Sequence, residues 1–377
     1  MSSTVDFTDL PDIREQIADP PAQDILLMTD AIAKHRLDPT AWNSLDVLVM
    51  VVRQINRHLG QCDRLAGSNK NEKAKEVYLK EEETNPILRL AWSRFETTFP
   101  SVNAQETARE AIKNKFWPSR QIPKFMGLLE SELMRKTLFG RPALLLFHPI
   151  VLSQSLESQL DDSWVPDGQN IPVAKTAERS LVRWDCKNET IGDWIESHFG
   201  MFESPERRYW FRFNKPVVMR VHFQVRPEMF NHPSEHVSRH GLLHLRRLTI
   251  GGGVWKLDED AGMIRSVDEK VTYVLFRVVR LADDRFDGRV LFRRYHLNGQ
   301  MIEEPTHFSH KDDTWKLHDP SGAYVLFYAR CLDTDLGTDS AGNATYPEVP
   351  SNDEQEQQQR QDFEEAFQQF NPEGAKR

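Results

Sequence analysis

Three strand-like runs near the C-terminus constrain this chain more than any other feature. Between Thr272 and Arg330 the sequence reads TYVLFRVVRL, then RVLFRRYHLNGQMI, then AYVLFYAR. Each run is rich in Val, Leu, Phe and Tyr and is bounded by Gly, Asp or Pro, the signature of strands. The intervening Asp283–Gly288 and Leu297-Asn298-Gly299 carry the Asp-Gly and Asn-Gly pairs that tight hairpins prefer. The spacing predicts an antiparallel meander forming the central sheet. The unbroken apolar stretches within it predict strands covered on both faces.

Upstream, the composition is helical. Ser44 to Leu59 is strongly apolar and too long for one strand, so a buried helix is expected there, ending at Gly60. From Asn71 to Leu138 four further helices are expected, with boundaries at Pro86, Pro100, Pro118 and Pro123. Leu88, Trp92, Phe95 and Phe99 recur at three- and four-residue spacing and give one core-facing stripe. After Pro142 the pattern turns to β. The expected organisation is a partly ordered lead-in over residues 1–23, a helical subdomain over 24–140, a β subdomain over 141–335, and a disordered tail over 336–377. The tail is rich in Asp, Glu, Gln and Pro, with Phe363, Phe367 and Phe370 at helical spacing near its end, a segment that could fold on a partner.

The whole is an α+β chain of 377 residues with a formal net charge of -9. That balance argues against a nucleic-acid surface. No apolar run approaches the length of a membrane span, and the acidic start is unlike a secretory signal. The three cysteines, Cys62, Cys186 and Cys331, are widely separated, which fits a reducing compartment, cytoplasmic or nuclear, and cannot build a four-cysteine zinc site. His232, His236, His240 and His244 recur every four residues, but Pro233 and the strand-like run that follows favour a loop over a metal site. No cofactor or metal is expected.

Several segments, taken in series, resemble the ubiquitin-specific peptidases, the papain-like cysteine deubiquitinases. Ala323-Tyr324-Val325-Leu326-Phe327-Tyr328-Ala329-Arg330 is similar to the strand that closes that domain. Thr190-Ile191-Gly192-Asp193-Trp194-Ile195 with Phe199 is similar to its short helix, and Lys215 to Phe223 to the strand after it. Asn43-Ser44, opening the buried helix, is similar to the end of the nucleophile box. The resemblance implies a papain-like fold, with the helical subdomain packed on an antiparallel β subdomain, and a ubiquitin or ubiquitin-like partner.

The catalytic residues that the resemblance implies are missing. The nucleophile slot falls on Thr40, or on Ala41 if the loop is one residue shorter. Alanine cannot attack a carbonyl, and an isolated threonine hydroxyl is far weaker than a thiolate. Arg289 stands where the general-base histidine would be, and a guanidinium cannot take a proton. Glu303 occupies the slot of the orienting residue. A pseudoenzyme acting by protein binding is therefore expected. Two alternatives stand beside it. One is an active hydrolase using Cys62 as a displaced nucleophile, with His240, His244 or His296 as base. The other is an unrelated α+β scaffold that recruits partners through its tail.

Overall fold

The computed structural model describes residues 7, 10–18, 22–23, 27, 43–65, 71–95, 101–118, 122–156, 164–167, 171–184, 190–224, 247–251, 255–258, 263–266, 270–281, 290–295, 301–302, 322–331, 337–338 and 344–345. The architecture is α+β, in two compact units. The first comprises Met1–Arg141 with Leu281–Leu291, the second Pro142–Arg280 with Phe292–Arg377. Among the described residues no helix is long and apolar enough to cross a membrane.

The first unit is helical: α1 (Ile13–Gln16), α2 (Asn43–Leu65), α3 (Asn71–Thr84), α4 (Pro86–Ala91), α5 (Ser101–Phe116), α6 (Phe125–Leu129) and α7 (Glu132–Lys136). Its axis is α2. Leu45, Val47, Leu48, Val49, Val51, Val52 and Ile55 are all buried, and so are the polar Arg53, Gln54, Asn56 and His58. A valine-rich segment has only modest helix propensity, so burial on all sides holds this one helical. Arg53 is accommodated by donating to the Ala91 and Ser93 carbonyls (3.1 and 2.8 Å) and lying 4.9 Å over the Phe95 ring. Gly60 does not end the helix, contrary to expectation. A mid-helix glycine costs about 1 kcal/mol relative to alanine, too little to stop a helix this well packed.

The expected helix through Trp92 and Phe95 is broken at Ala91, where Ser93 leaves to form a bridge with Asp12. The expected helix from Pro123 to Leu138 is likewise two, α6 and α7, with Ser131 capping the second by accepting from the Met134 N–H. Asn85 caps α4, with Pro86 at its first position, and its buried amide reaches Thr137 Oγ1 at 2.9 Å. That single side chain ties α4 to the end of α7.

The lead-in is anchored by one arginine. Arg14 donates from Nη1 and Nη2 to both carboxylate oxygens of Glu82 (2.7 and 2.8 Å) and from Nε and Nη2 to Asp12 (2.9 and 2.6 Å). It also lies 4.7 Å over the Trp92 ring. Asp12 and Glu82 are buried, and Leu10 and Ile13 beside them are fully so.

The second unit holds β1 (Leu152–Ser155), β2 (Val165–Pro166), α8 (Val173–Arg179), β3 (Leu181–Trp184), α9 (Ile191–Glu196), β4 (Gly200–Glu203), β5 (Arg207–Phe211), β6 (Val218–Gln224), β7 (Arg247–Ile250), β8 (Trp255–Asp258), β9 (Met263–Ser266), β10 (Val271–Arg280), β11 (Leu291–Tyr295), β12 (Met301–Ile302), β13 (Ala323–Arg330), β14 (Gly337–Thr338) and β15 (Ala344–Thr345). The larger sheet has the order β12-β11-β10-β13-β6-β3, with β7 also paired to β10. All ten residues of β10 and the six inner residues of β13 are buried, as their unbroken apolar runs predict.

Two expectations are corrected here. The meander does not continue into its last strand: β13 returns to lie between β10 and β6, with Tyr324 opposite both Arg280 and Phe223. Nor is the unit wholly antiparallel, because β3 runs parallel to β6. The hairpin turns at Asp283–Gly288 and Leu297–Gly299 lie outside the described residues, as do the four spaced histidines.

Thr190 opens α9 with a capping box, its hydroxyl accepting from the Asp193 N–H while the Asp193 carboxylate accepts from the Thr190 N–H. Gly192 lets α9 sit close to β7, since a Cβ there would lie 3.2 Å from the Thr249 carbonyl oxygen. The run after Pro142, expected as a strand, instead makes a 3₁₀ turn (Pro142–Leu144) and an isolated bridge, Phe147 to Phe213, before β1 begins. Proline at 142 and 149 removes two donors from that run. A second sheet, ordered β2-β1-β5-β4, is joined to the first by aromatic contacts running Phe147–Phe199–Phe213–Tyr273, with ring centroids 4.9, 5.1 and 6.5 Å apart. Within the expected tail, β14 and β15 form a two-residue ladder.

The Arg14 anchor carries a prediction. Burial alone raises the Asp12 carboxyl, but hydrogen bonds and charge from Arg14, with Arg89 adding to them, bring it below its ordinary 3.8. A carboxylate depressed on folding contributes stability that is full above the ordinary value and lost as pH falls through the folded one. Arg14→Ala is expected to cost about 3–5 kcal/mol in denaturant titrations near neutral pH, by stranding the buried Glu82 and leaving Asp12 only Arg89, 3.5 Å away. It is also expected to flatten the loss of stability that the native chain should undergo as pH falls below the ordinary 3.8 of an aspartate.

Candidate functional site at the start of the central helix

The sequence points to the first turn of α2. Leu45 is buried, Ser44 half-buried, and Asp46 sits in that first turn. A carboxylate there is favoured by the unpaired N–H groups and the positive end of the helix dipole. It has a second partner: Nε of Arg109, from α5, donates to Asp46 Oδ1 at 2.6 Å. Arg109 is 1% exposed, so the carboxylate is its counter-ion. Burial raises the Asp46 carboxyl, while the charge and hydrogen bond of Arg109 pull against that rise.

This pair was not foreseen from the sequence. Its members stand 63 residues apart, and the only local signal is an acidic residue in a first turn, which caps and dipoles explain equally well.

Chemically the turn offers a hydroxyl and an arginine-bound carboxylate. A hydroxyl needs an adjacent base to become a nucleophile, and a carboxylate held by a buried guanidinium is committed to that charge. Among the described residues no group of three or more His, Cys, Asp or Glu could hold a metal ion.

Of the residues singled out from the sequence, Thr40, Ala41, Arg289 and Glu303 lie outside the described residues, as do His240, His244 and His296. Thr40 and Ala41 precede α2. Arg289 directly precedes Val290, which is 3% exposed, and Glu303 directly follows β12.

Cys62 is corrected. It does not follow the helix but lies within its last turn. From Asn43 to Cys62 is 62 − 43 = 19 residues, so at 1.5 Å per residue the two stand about 28 Å apart along the axis.

The Asp46–Arg109 pair is expected to behave as a buried ion pair in a double-mutant cycle followed by chemical denaturation. Asp46→Leu and Arg109→Met should each cost about 3–5 kcal/mol, and the double variant less than either. Equal and additive losses would show that the two side chains act independently.

No protein-family model matches the chain, and no curated protein matches it. Among solved structures the chain is similar to the Saccharomyces cerevisiae PAN2 pseudoubiquitin-hydrolase, at 12% identity and a TM-score of 0.37, over 79% of this chain and 88% of that one. It is also similar to a chain of the SAGA Ubp8/Sgf11/Sus1/Sgf73 DUB module bound to ubiquitin aldehyde, at 10% identity and a TM-score of 0.39, over 82% of this chain and 71% of that one. A further Ubp8-Sgf11-Sgf73-Sus1 SAGA DUB module gives 11% identity and a TM-score of 0.36, over 82% and 69%.

Proposed function

We propose that this chain is a ubiquitin-specific-peptidase-like protein without hydrolytic activity, and that it acts by non-covalent binding of a protein, with ubiquitin or a ubiquitin-like protein as first candidate. One observation carries the loss of activity. The chain has no cysteine before Cys62, and Cys62 sits about 28 Å along α2 from the turn where the resemblance places the nucleophile. Arginine at position 289 and alanine at position 41 agree with that loss, since neither can act as general base or nucleophile.

The elements that carried the resemblance form as expected in the second unit. Ile191–Glu196 is a helix, and Val218–Gln224 a strand paired with Ala323–Arg330. The ligand comes from the resemblance alone, and the experiment must therefore test binding and chemistry separately.

Full-length protein incubated with ubiquitin bearing an electrophilic C-terminal warhead is expected to form no covalent adduct, whereas titration with unmodified ubiquitin is expected to give saturable binding by calorimetry. An adduct that disappears in Cys62→Ala would overturn the inactive reading. Absence of binding to mono-ubiquitin, ubiquitin chains and ubiquitin-like proteins would overturn the ligand.

A further inference from the structure

A half-buried arginine on the smaller sheet lacks the acidic partner its neighbours have. On β5, Arg208 is matched by Glu203 at 2.7 Å and Arg207 by Asp167 at 3.3 Å. Arg212, just past the end of the same strand, has no carboxylate within 4 Å among the described residues. Its Nη2 donates instead to His148 Nδ1 at 2.8 Å, and the guanidinium lies 5.6 Å from the Trp210 ring. The same His148 Nδ1 is 3.2 Å from the Ile150 N–H, so it serves as acceptor and the imidazole is neutral. Burial, with the charge of Arg212 adding to it, keeps the His148 pKa below its ordinary 6.5. The local charge is thus one cation, partly stripped of water, facing a neutral ring. A half-buried cation in that state gains most from an incoming anion, because screening is weak there.

The register shows what surrounds it. Met201, Trp210 and Leu152 stand opposite one another across β4, β5 and β1, and therefore share a face. Strand alternation puts Arg212 on that face too, two residues beyond Trp210. Trp210 is buried, but Met201 is 44% exposed, and Ile150, whose carbonyl lies 3.4 Å from Arg212 Nη2, is 38% exposed. Met201 and Ile150 thus leave exposed apolar surface in the neighbourhood of this cation.

We propose that this face of the smaller sheet binds an acidic, apolar peptide segment of a protein partner, with a carboxylate of the peptide on Arg212 and its apolar side chains on Met201 and Ile150. Charge complementarity selects that occupant. A purely apolar partner would bury the guanidinium without an anion, at a cost of several kcal/mol, and a basic one would meet it as a like charge. The carboxylate supplies the counter-charge that Arg212 lacks among the described residues, where its Nη2 donates only to His148 and to the Ile150 carbonyl. His148 holds the guanidinium in place from the other side.

The test uses the full chain and a fluorescein-labelled ten-residue peptide of alternating valine and glutamate, with a valine–glutamine peptide as control. Saturable binding of the glutamate peptide alone is expected. Arg212→Gln should weaken it by about tenfold or more, the loss of one charge-assisted hydrogen bond. Because Arg212 is half-buried, Met201→Glu provides a second probe on an exposed side chain, and it should weaken binding several-fold while leaving the melting temperature unchanged. Equal binding of both peptides, no binding of either, or indifference to both substitutions would overturn the proposal. Displacement of the bound glutamate peptide by a single-stranded oligonucleotide at comparable concentration would also overturn it, by reassigning the surface to polyanions.

Discussion

Everything in the β unit depends on two strands having no exposed face. Each residue of β10 is buried, including Arg277 and Arg280, which are 0% and 1% exposed. Strands covered on both sides must be central, and a central strand must be flanked by partners whose own side chains fit its pleat. That requirement recruits β13 from far along the chain and seats β6 beyond it, so that Tyr324, Arg280 and Phe223 fall in one row. Burying an arginine inside such a sheet is costly. Arg277 offsets part of that cost by lying 4.9 Å over Phe292, and Arg220 by donating to the Ala177 carbonyl at the end of α8 (2.9 Å). The cations thereby restrict the sheet to one register, because a slip by one residue would carry them to the opposite face.

The helical unit solves a comparable problem with α2. A helix buried all round has no solvated face on which to place its polar residues, so each must find an internal partner. Arg53 takes backbone carbonyls, and Asp46 takes Arg109. At the first turn of α2 these demands leave a carboxylate paired with a buried guanidinium.

Those parts of the fold set by local pattern were legible beforehand. Ala323–Arg330 forms a buried strand as its composition required, and the apolar run opening at Asn43 forms the central helix despite its valines. What was not legible was settled by distant partners. Nothing local in AYVLFYAR says that it pairs with Val218–Gln224 rather than with its predecessor in sequence. The run through Trp92 has good helical periodicity, and it breaks because Ser93 and Arg94 pair with the Asp12 region, about eighty residues earlier. Gly60 carries the local signal of a helix stop, but a glycine penalty of about 1 kcal/mol is outweighed by the packing of the helix that runs through it. The candidate site divides in the same way. The absence of a thiol at positions 40 and 41 is plain in the sequence, but Asp46–Arg109 and Arg212–His148 are pairs 63 and 64 residues apart. Neither could be found without the fold.

The proposed reading gives Ala41 and Arg289 the two places that catalytic residues hold in the peptidases this chain resembles, and on that reading the two positions lie close together. The direct measurement is the distance between nitroxide labels on Ala41→Cys and Arg289→Cys, read by pulsed electron resonance in a chain whose native cysteines are serine. The account predicts a short separation, on the scale of two side chains and their labels. A separation comparable with the length of α2, about 35 Å for its 23 residues, would contradict it.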